Sequence, residues 1–210
     1  PVAATAPAPA AVDLPDRVDI QPPEGVGAMG SPKAPVTVLA FIDFHCPYSK
    51  RHAANYSRLI KDFGADIRLT VAHLPIAALH PDAEAAATLA VAAQAQGLFW
   101  PAHDLLFERA EAPWSDRDTT KALTELARDA GVRIRASQLR RRRKTEGKRI
   151  LEAHRALATK HGVSGTPYTF VNGRPLRGAV TYERLREVVQ AELSAATGGA
   201  QTEGGTVESQ

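Results

Sequence analysis

Val36-Thr-Val-Leu-Ala-Phe-Ile42 is a short, continuous apolar run, and Cys46, the only cysteine of the chain, follows shortly after it. An uninterrupted apolar run of this length, closed by the charged Asp43, predicts a strand that is buried on both faces. The next apolar residues have the i, i+3, i+4, i+7 spacing of an amphipathic helix: Tyr56, Leu59, Ile60 and Phe63. Gly64 ends this helix, which we expect to begin at Cys46. The cysteine therefore stands where a buried strand leads into a helix.

The segments beyond this junction alternate between strand and helix patterns. Residues 67–72 alternate apolar with polar and continue into His73-Leu-Pro75, which predicts a second strand that the proline ends. Residues 82–159, rich in Ala, Leu, Glu and Arg at helical spacing, predict a block of helices. Strand patterns over 168–177 flank the hairpin turn signal Asn172-Gly173, and Thr181 is a candidate N-cap for a closing helix. The order strand, helix, strand, helical insert, hairpin, helix indicates an α/β domain.

Length and composition predict one folded domain between two disordered ends. The chain has 210 residues, and 44% of them are hydrophobic, which is sufficient for one packed core. Residues 1–16, rich in Pro and Ala, predict a disordered tether, and residues 197–210, rich in Gly, predict a disordered tail. The predicted body is then 17–196, with the helical insert at about 80–160. No apolar run approaches the roughly 20 residues that cross a bilayer, so we expect no transmembrane segment in this sequence.

The charge of the chain is mildly positive, with a formal value of +3. Much of it lies in one basic run, Arg140-Arg-Arg-Arg-Lys144, with Lys148 and Arg149 close behind. The aromatic content is only 6%, and the run falls within a predicted helix. A solvated helix face is therefore favoured over a nucleic-acid site, and we expect no nucleic-acid partner.

Cys46 cannot form an internal disulfide, so its thiol is inert, intermolecular or reactive. The unpaired N–H groups and the positive dipole end of a helix favour a thiolate at this position. Ser49 lies one helical turn later, where its hydroxyl could donate a hydrogen bond to the sulfur, and a protonated His45 could also stabilise the thiolate. Pro47 is tolerated in the first turn of the helix. The sequence thus predicts Cys46 as a nucleophile with Ser49 beside it.

Metal and cofactor sites are not indicated. Gly25-Val-Gly-Ala-Met-Gly30 matches the letters of the dinucleotide fingerprint, but it precedes a strand instead of following one. The seven histidines form no H-E-x-x-H motif and have no second cysteine to pair with. We therefore expect neither a metal nor a cofactor, and we assign surface or packing roles to histidines such as His73 and His154.

Two distant motifs resemble the DsbA-like branch of the thioredoxin family. One is Gly30-Ser-Pro-Lys-Ala-Pro35, an apolar strand and Asp43-Phe-His-Cys-Pro-Tyr48; the other is Gly162-Val-Ser-Gly-Thr-Pro167 followed by Phe170-Val-Asn-Gly173. The resemblance covers about residues 30–195 and implies a thioredoxin fold with a helical insertion. It also implies a cis Thr166–Pro167 bond facing Cys46.

The same resemblance implies a function and a setting. An extended substrate peptide or glutathione would pair with the backbone of Thr166, and the substrate-side residues would be Pro47, Tyr48, Thr166 and Pro167. The protein would be exported by a bacterium to the periplasm or cell envelope, where it would act on thiols or disulfides of other proteins.

Ser49 departs from the family pattern, because it stands where the family has a second, resolving cysteine. A lone thiol can form a mixed disulfide but needs an external thiol to free it, so the chemistry left is monothiol exchange. Ser49 is either natural to a monothiol member or a Cys-to-Ser change that traps an intermediate. Two other functions stay open: a non-catalytic thioredoxin-fold binding module, and a glutathione-using transferase or isomerase that relies on Ser49.

Overall fold

The computed structural model describes residues 14–199. A five-stranded sheet runs through the domain in the order β1-β3-β2-β4-β5. The strands are β1 (Gly27–Gly30), β2 (Val36–Ile42), β3 (Ile67–His73), β4 (Tyr168–Val171) and β5 (Arg174–Arg177). β2 pairs parallel with β3, and the other three pairings are antiparallel. This is the α/β thioredoxin fold that the sequence predicted.

The helices surround the sheet and supply the predicted insert. They are α1 (Pro47–Phe63), α2 (Ala83–Gln94), α3 (Phe99–Arg109), α4 (Asp116–Asp129), α5 (Ala136–Arg142), α6 (Lys148–Lys160) and α7 (Tyr182–Gly199). A 3₁₀ turn (Gly64–Asp66) follows α1, and a π-helical segment (Arg143–Gly147) joins α5 to α6. None of the helices within residues 14–199 is long and apolar enough to cross a membrane.

β2 is the centre of the core because its two faces pack against different hydrophobic clusters. Val36, Val38, Ala40 and Ile42 belong to one cluster, which includes residues of α1, α2, α3 and α7. Leu39 and Phe41 point to the opposite face and join a second cluster that includes Ala158 of α6. The alternation confirms the predicted two-sided burial, and it fixes the register because a one-residue slip would exchange the two faces.

Most predicted elements have the predicted bounds, but β1 was missed. Gly27-Ala-Met-Gly30 contains no β-branched or aromatic residue, so its local propensity does not indicate a strand. It becomes one by pairing antiparallel with β3, from Gly27 opposite Val71 to Gly30 opposite Arg68. Glycine is required at Gly27, since a Cβ there would lie 1.9 Å from the ring of Phe99.

The predicted chain ends lie mostly outside the described residues. Of the predicted tether, 1–13 are not described, and of the predicted tail, 200–210 are not described. α7 continues to Gly199, which is three residues beyond the predicted end of the body at 196. Its start agrees with the prediction, since Thr181 Oγ1 accepts a hydrogen bond from the backbone N–H of Arg184 at 3.2 Å.

Glu192 ties the segment that precedes the sheet to α7. Its carboxylate is 3% exposed and accepts hydrogen bonds from Arg17 at 2.7 and 2.9 Å and from Arg174 at 2.6 Å. Burial would raise the pKa of Glu192, but the hydrogen bonds from Arg174, Asn172 and Arg17 outweigh it and lower that pKa. Arg174 also donates to the carbonyl of Pro15 at 2.6 Å. The Glu192 carboxylate thus holds Arg17 directly and, through Arg174, fixes the backbone at Pro15.

We expect Glu192→Ala to lower the free energy of unfolding by about 2 kcal/mol, because two guanidinium groups would lose a charged acceptor. Urea denaturation followed by circular dichroism measures the loss. Glu187→Ala on the same helix is the matched control: its ion pair with Arg184 is half exposed, so its removal should cost less than about 0.5 kcal/mol. Equal losses in the two variants would contradict the anchoring role of Glu192.

Candidate active site

Cys46 is the N-cap residue of α1, and Pro47 is the first residue of that helix. Its backbone is extended, with φ −80° and ψ 117°, and its N–H donates to the carbonyl of Asp43 at 3.1 Å. The first turn of α1 contains no acidic residue, so the positive end of the helix dipole is not neutralised there. The thiol is 6% exposed and therefore sits just beneath the surface, at the N-terminal end of α1.

The loop before β4 brings Thr166 and Pro167 to the cysteine across 120 residues of sequence. The peptide bond between them is cis, and the Cys46 thiol donates to the Thr166 carbonyl at 3.3 Å. Thr166 is half-buried and Pro167 is buried, whereas Pro47 and Tyr48, the two residues that follow Cys46, are exposed. The structure thus brings the predicted site residues together, with Pro47, Tyr48 and Thr166 accessible from outside.

Ser49 does not have the orientation that we expected. Its side chain is fully buried on the inner face of α1, and its hydroxyl oxygen accepts a hydrogen bond from the N–H of Asp43 at 3.4 Å. Within the described residues, the structure shows no hydrogen bond between Ser49 and the Cys46 sulfur. Ser49 lies on the buried face of α1, where its oxygen meets the N–H of Asp43 at the end of β2. Ser49 acts here as a link between helix and strand.

Asp43 holds the loop that carries the cysteine. Its carboxylate is 1% exposed and accepts three hydrogen bonds, from the N–H of His45 at 2.8 Å, the N–H of Ile76 at 2.9 Å and the ring of His80 at 2.8 Å. Its backbone carbonyl also accepts from Cys46. A buried carboxylate requires such partners, because an unpaired one would cost several kcal/mol. Asp43 and His80 were not singled out by the sequence analysis as a pair, since 37 residues separate them.

His45 is not placed to act as a cation beside the thiol. Its ring packs edge-on against Trp114, with centroids 5.6 Å apart, and its Nε2 is buried and has no hydrogen-bond partner among residues 14–199. Burial lowers the pKa of His45, and it outweighs the opposite effects of Asp43 and Asp82. The imidazole is therefore neutral at pH 7, and the expected stabilisation of a thiolate by protonated His45 is not supported.

Buried histidines behind the site were not recognised as a group from the sequence. His52 lies on the same buried face of α1 as Ser49 and Tyr56, its Nδ1 accepts from Asn55 at 3.2 Å, and burial lowers its pKa to about 4. His73, at the end of β3, is fully buried among aromatic rings, including Phe44 at 5.5 Å, and burial lowers its pKa well below the usual value. The apolar stripe of α1 was the signal that could have identified His52.

The described residues contain no group of three or more His, Cys, Asp or Glu side chains that could hold a metal ion. His73 and His154 do meet, with ring centroids 5.6 Å apart, and His154 Nδ1 accepts from the N–H of His73 at 3.0 Å. His154 also contacts the carbonyl of Glu24 through Nε2 at 2.9 Å. Both nitrogens of His154 are therefore engaged with the backbone, which is a packing role.

Comparison with known proteins bears on the family and the fold of the chain. A family model described as thioredoxin matches residues 24–191. The chain is 26% identical over 184 residues to disulfide bond formation protein D of Bacillus subtilis, covering 85% of this chain and 82% of that protein. The solved structure of a thioredoxin-like oxidoreductase from Silicibacter pomeroyi is 27% identical with a TM-score of 0.64, covering 80% of this chain and 92% of that one.

A further relative has a different name. The Na⁺/H⁺ antiporter NhaA 3 of Salinispora tropica is 34% identical over 185 residues, which is 88% of this chain. This chain spans only 27% of the antiporter's length, so the likeness concerns about a quarter of that protein.

We expect Asp43→Asn to lower the free energy of unfolding by about 2 kcal/mol, because an amide has only one acceptor oxygen and cannot accept both from His45, on Oδ1, and from Ile76 and His80, on Oδ2. The rate at which Cys46 reacts with an aromatic disulfide reagent should also fall, by about tenfold, because the loop loses its fixed position. Asp82→Asn is the control, since it makes the same change at an exposed acid nearby. If both variants kept the parent rate, Asp43 would not position the thiol.

The pH dependence of stability should contain a contribution from His52. Its pKa is about 4 in the folded protein and about 6.5 when unfolded, so the unfolded state takes up the proton first as pH falls. The free energy of unfolding therefore decreases between pH 6.5 and pH 4, by up to about 3 kcal/mol from this residue. His52→Phe keeps the ring contact with Tyr56 but cannot titrate, and urea denaturation across this range should show a shallower decrease. An unchanged decrease would rule the contribution out.

Proposed function

The chain belongs to the thioredoxin family, in its DsbA-like branch, and we propose that it is a thiol-disulfide oxidoreductase whose nucleophile is Cys46. The observation that carries the proposal is the placement of this thiol at the start of α1, 3.3 Å from the Thr166 carbonyl. An extended peptide that pairs with the backbone of Thr166 would bring its own sulfur next to Cys46. The names of the Bacillus and Silicibacter relatives support the same reaction class.

The proposed reaction is monothiol exchange. The Cys46 thiolate attacks one sulfur of a substrate disulfide, a new S–S bond joins Cys46 to that sulfur, and the second substrate sulfur leaves as a thiolate that then takes up a proton. An external thiol, from glutathione or another protein, then attacks the mixed disulfide and releases Cys46 as a thiolate. The external thiol is then joined by a disulfide to one substrate sulfur, and the other substrate sulfur is a free thiol. A second external thiol completes the reduction of the substrate, whereas attack by another substrate thiol yields a rearranged disulfide and frees the first external thiol.

The buried position of Ser49 supports monothiol chemistry over the glutathione transferase alternative. In that alternative Ser49 would need to reach bound glutathione, but its side chain is fully buried and its hydroxyl is engaged with Asp43. A hydroxyl cannot displace Cys46 from a mixed disulfide, because only a thiolate resolves such a bond. The mixed disulfide is therefore expected to be long-lived until an external thiol arrives.

The DsbA-like resemblance supports a proposal for the setting and the substrates. We propose that the protein acts in the periplasm or cell envelope on thiols or disulfides of other proteins, as the DsbA-like resemblance implies. The antiporter name is not transferred, since the chain spans only 27% of that relative. Cell fractionation with an antibody against the chain tests the location, and recovery in the cytoplasmic fraction would contradict it.

We expect one mixed disulfide, at Cys46, when the reduced protein meets an unfolded protein that carries a disulfide. Intact-mass spectrometry with peptide mapping measures it, and dithiothreitol should remove it. Cys46→Ser should form none, and Ser49→Ala should behave like the parent because it retains the lone thiol. Ser49→Cys should accumulate far less, since cysteines three residues apart at a helix start can form a disulfide of their own.

Three outcomes would oppose this proposal in different ways. Absence of any adduct at Cys46 would leave a non-catalytic binding module as the better description. Loss of glutathione binding in Ser49→Ala alone would favour the glutathione-using transferase or isomerase. Persistent mixed disulfide in Ser49→Cys would show that position 49 cannot resolve the adduct, whichever residue it carries.

A further inference from the structure

A surface cavity of about 450 Å³ lies among α2, α5, the π-helical segment and α6, within the helical insert. Cavities of this volume accommodate small ligands in other proteins. Its charged and polar lining residues are Glu84, Thr88, Asp116, Arg140, Arg143, Lys144 and Lys148. None of these residues belongs to the site around Cys46.

The two acidic residues of this cavity are already neutralised. Glu84 forms an ion pair with Arg155 at 2.8 Å, and Asp116 forms one with Arg143 at 2.6 Å. Three cations remain, Arg140, Lys144 and Lys148; each is exposed, and within residues 14–199 none forms an ion pair. The cavity therefore carries three positive charges without a protein counter-ion.

The backbone holds these three cations on one side of the insert. Arg140, Lys144 and Lys148 are spaced four residues apart through the π-helical segment, so they follow one face of the continuous helical path. Segments of π-helix are rare in proteins, and those that occur often lie at functional sites. This one is packed closely on α2, because a Cβ at Gly147 would lie 3.1 Å from the carbonyl of Thr88. Arg143 adds a hydrogen bond to Thr88 Oγ1 at 3.4 Å.

We propose that this cavity binds an anion that carries phosphate groups. Phosphate oxygens accept hydrogen bonds from guanidinium and ammonium groups together, and the Arg and Lys side chains here supply both. The basic run was predicted to be a solvated helix face. In the structure its cations differ, because some form ion pairs with acidic residues and others do not. Arg142, Arg143 and Arg149 are paired with Glu146, Asp116 and Glu24, whereas within residues 14–199 Arg140, Lys144 and Lys148 form no ion pair.

Two sources could supply this chemistry, a free phosphorylated small molecule and the head groups of anionic phospholipids. The experiment therefore uses two probes on the full chain at low salt: inorganic pyrophosphate by isothermal titration calorimetry, and vesicles of phosphatidylcholine with phosphatidylglycerol by co-sedimentation. Lys144→Gln/Lys148→Gln should weaken binding of the preferred probe by about thirtyfold, at roughly 1 kcal/mol for each cation. Arg133→Gln/Arg135→Gln removes the same charge from exposed residues outside the cavity and is the control.

Binding of pyrophosphate that the lysine pair weakens would support the proposal with a soluble ligand. Binding of the vesicles alone, with the same dependence, would support it with a lipid surface. Binding of neither probe would overturn the proposal, and so would equal weakening by the two double variants, which would indicate only a general effect of net charge. Preference for a DNA duplex over both probes would overturn it as well. Because Cys46 is not involved, the adduct assay should be unchanged in both double variants.

Discussion

The buried carboxylate of Asp43 is the constraint on which the arrangement of the site depends. A negative charge with 1% exposure is tolerated only when donors surround it, and its donors come from two separate loops, through His45 on one side and Ile76 and His80 on the other. The loop that carries Cys46 is therefore fixed to the chain that follows β3. These loops follow β2 and β3, which are adjacent and parallel. The C-terminal ends of the two strands therefore lie side by side, and the carboxylate is close to its donors on both loops.

The central strand explains why the cysteine can be held so firmly. β2 is buried on both faces, so neither register shift nor outward bending is available to it. Pairing of its other edge with β4 brings the Thr166–Pro167 segment, which immediately precedes β4, to the same end of the sheet as Cys46. Strand order thus brings the sulfur to a carbonyl from a distant part of the sequence, and Asp43 holds the loop that carries the sulfur. The helical insert packs around this framework and contributes a charged cavity of its own.

Much of the fold could be predicted because local pattern and tertiary environment agree in most segments. The apolar run of β2, the turn at Asn172-Gly173 and the cap at Thr181 each have a local physical cause, and each element lies where the pattern placed it. β1 was missed since only its partner strand makes Gly27–Gly30 extended. The orientation of Ser49 depends on its contact with Asp43, and the burial of His45 depends on its contact with Trp114. Neither contact can be predicted from the spacing of residues in the sequence.

The complete burial of Ser49 has a consequence for recognition. A protein that approaches the site touches Tyr48, which is 54% exposed, and the rim near Thr166, but it does not touch the side chain at position 49. Exchange of that single oxygen atom for sulfur would leave the outer surface the same to a partner. In the proposed exchange, affinity for a partner would depend on the exposed atoms and release of that partner on the buried atom at position 49, so the two properties could change independently during evolution.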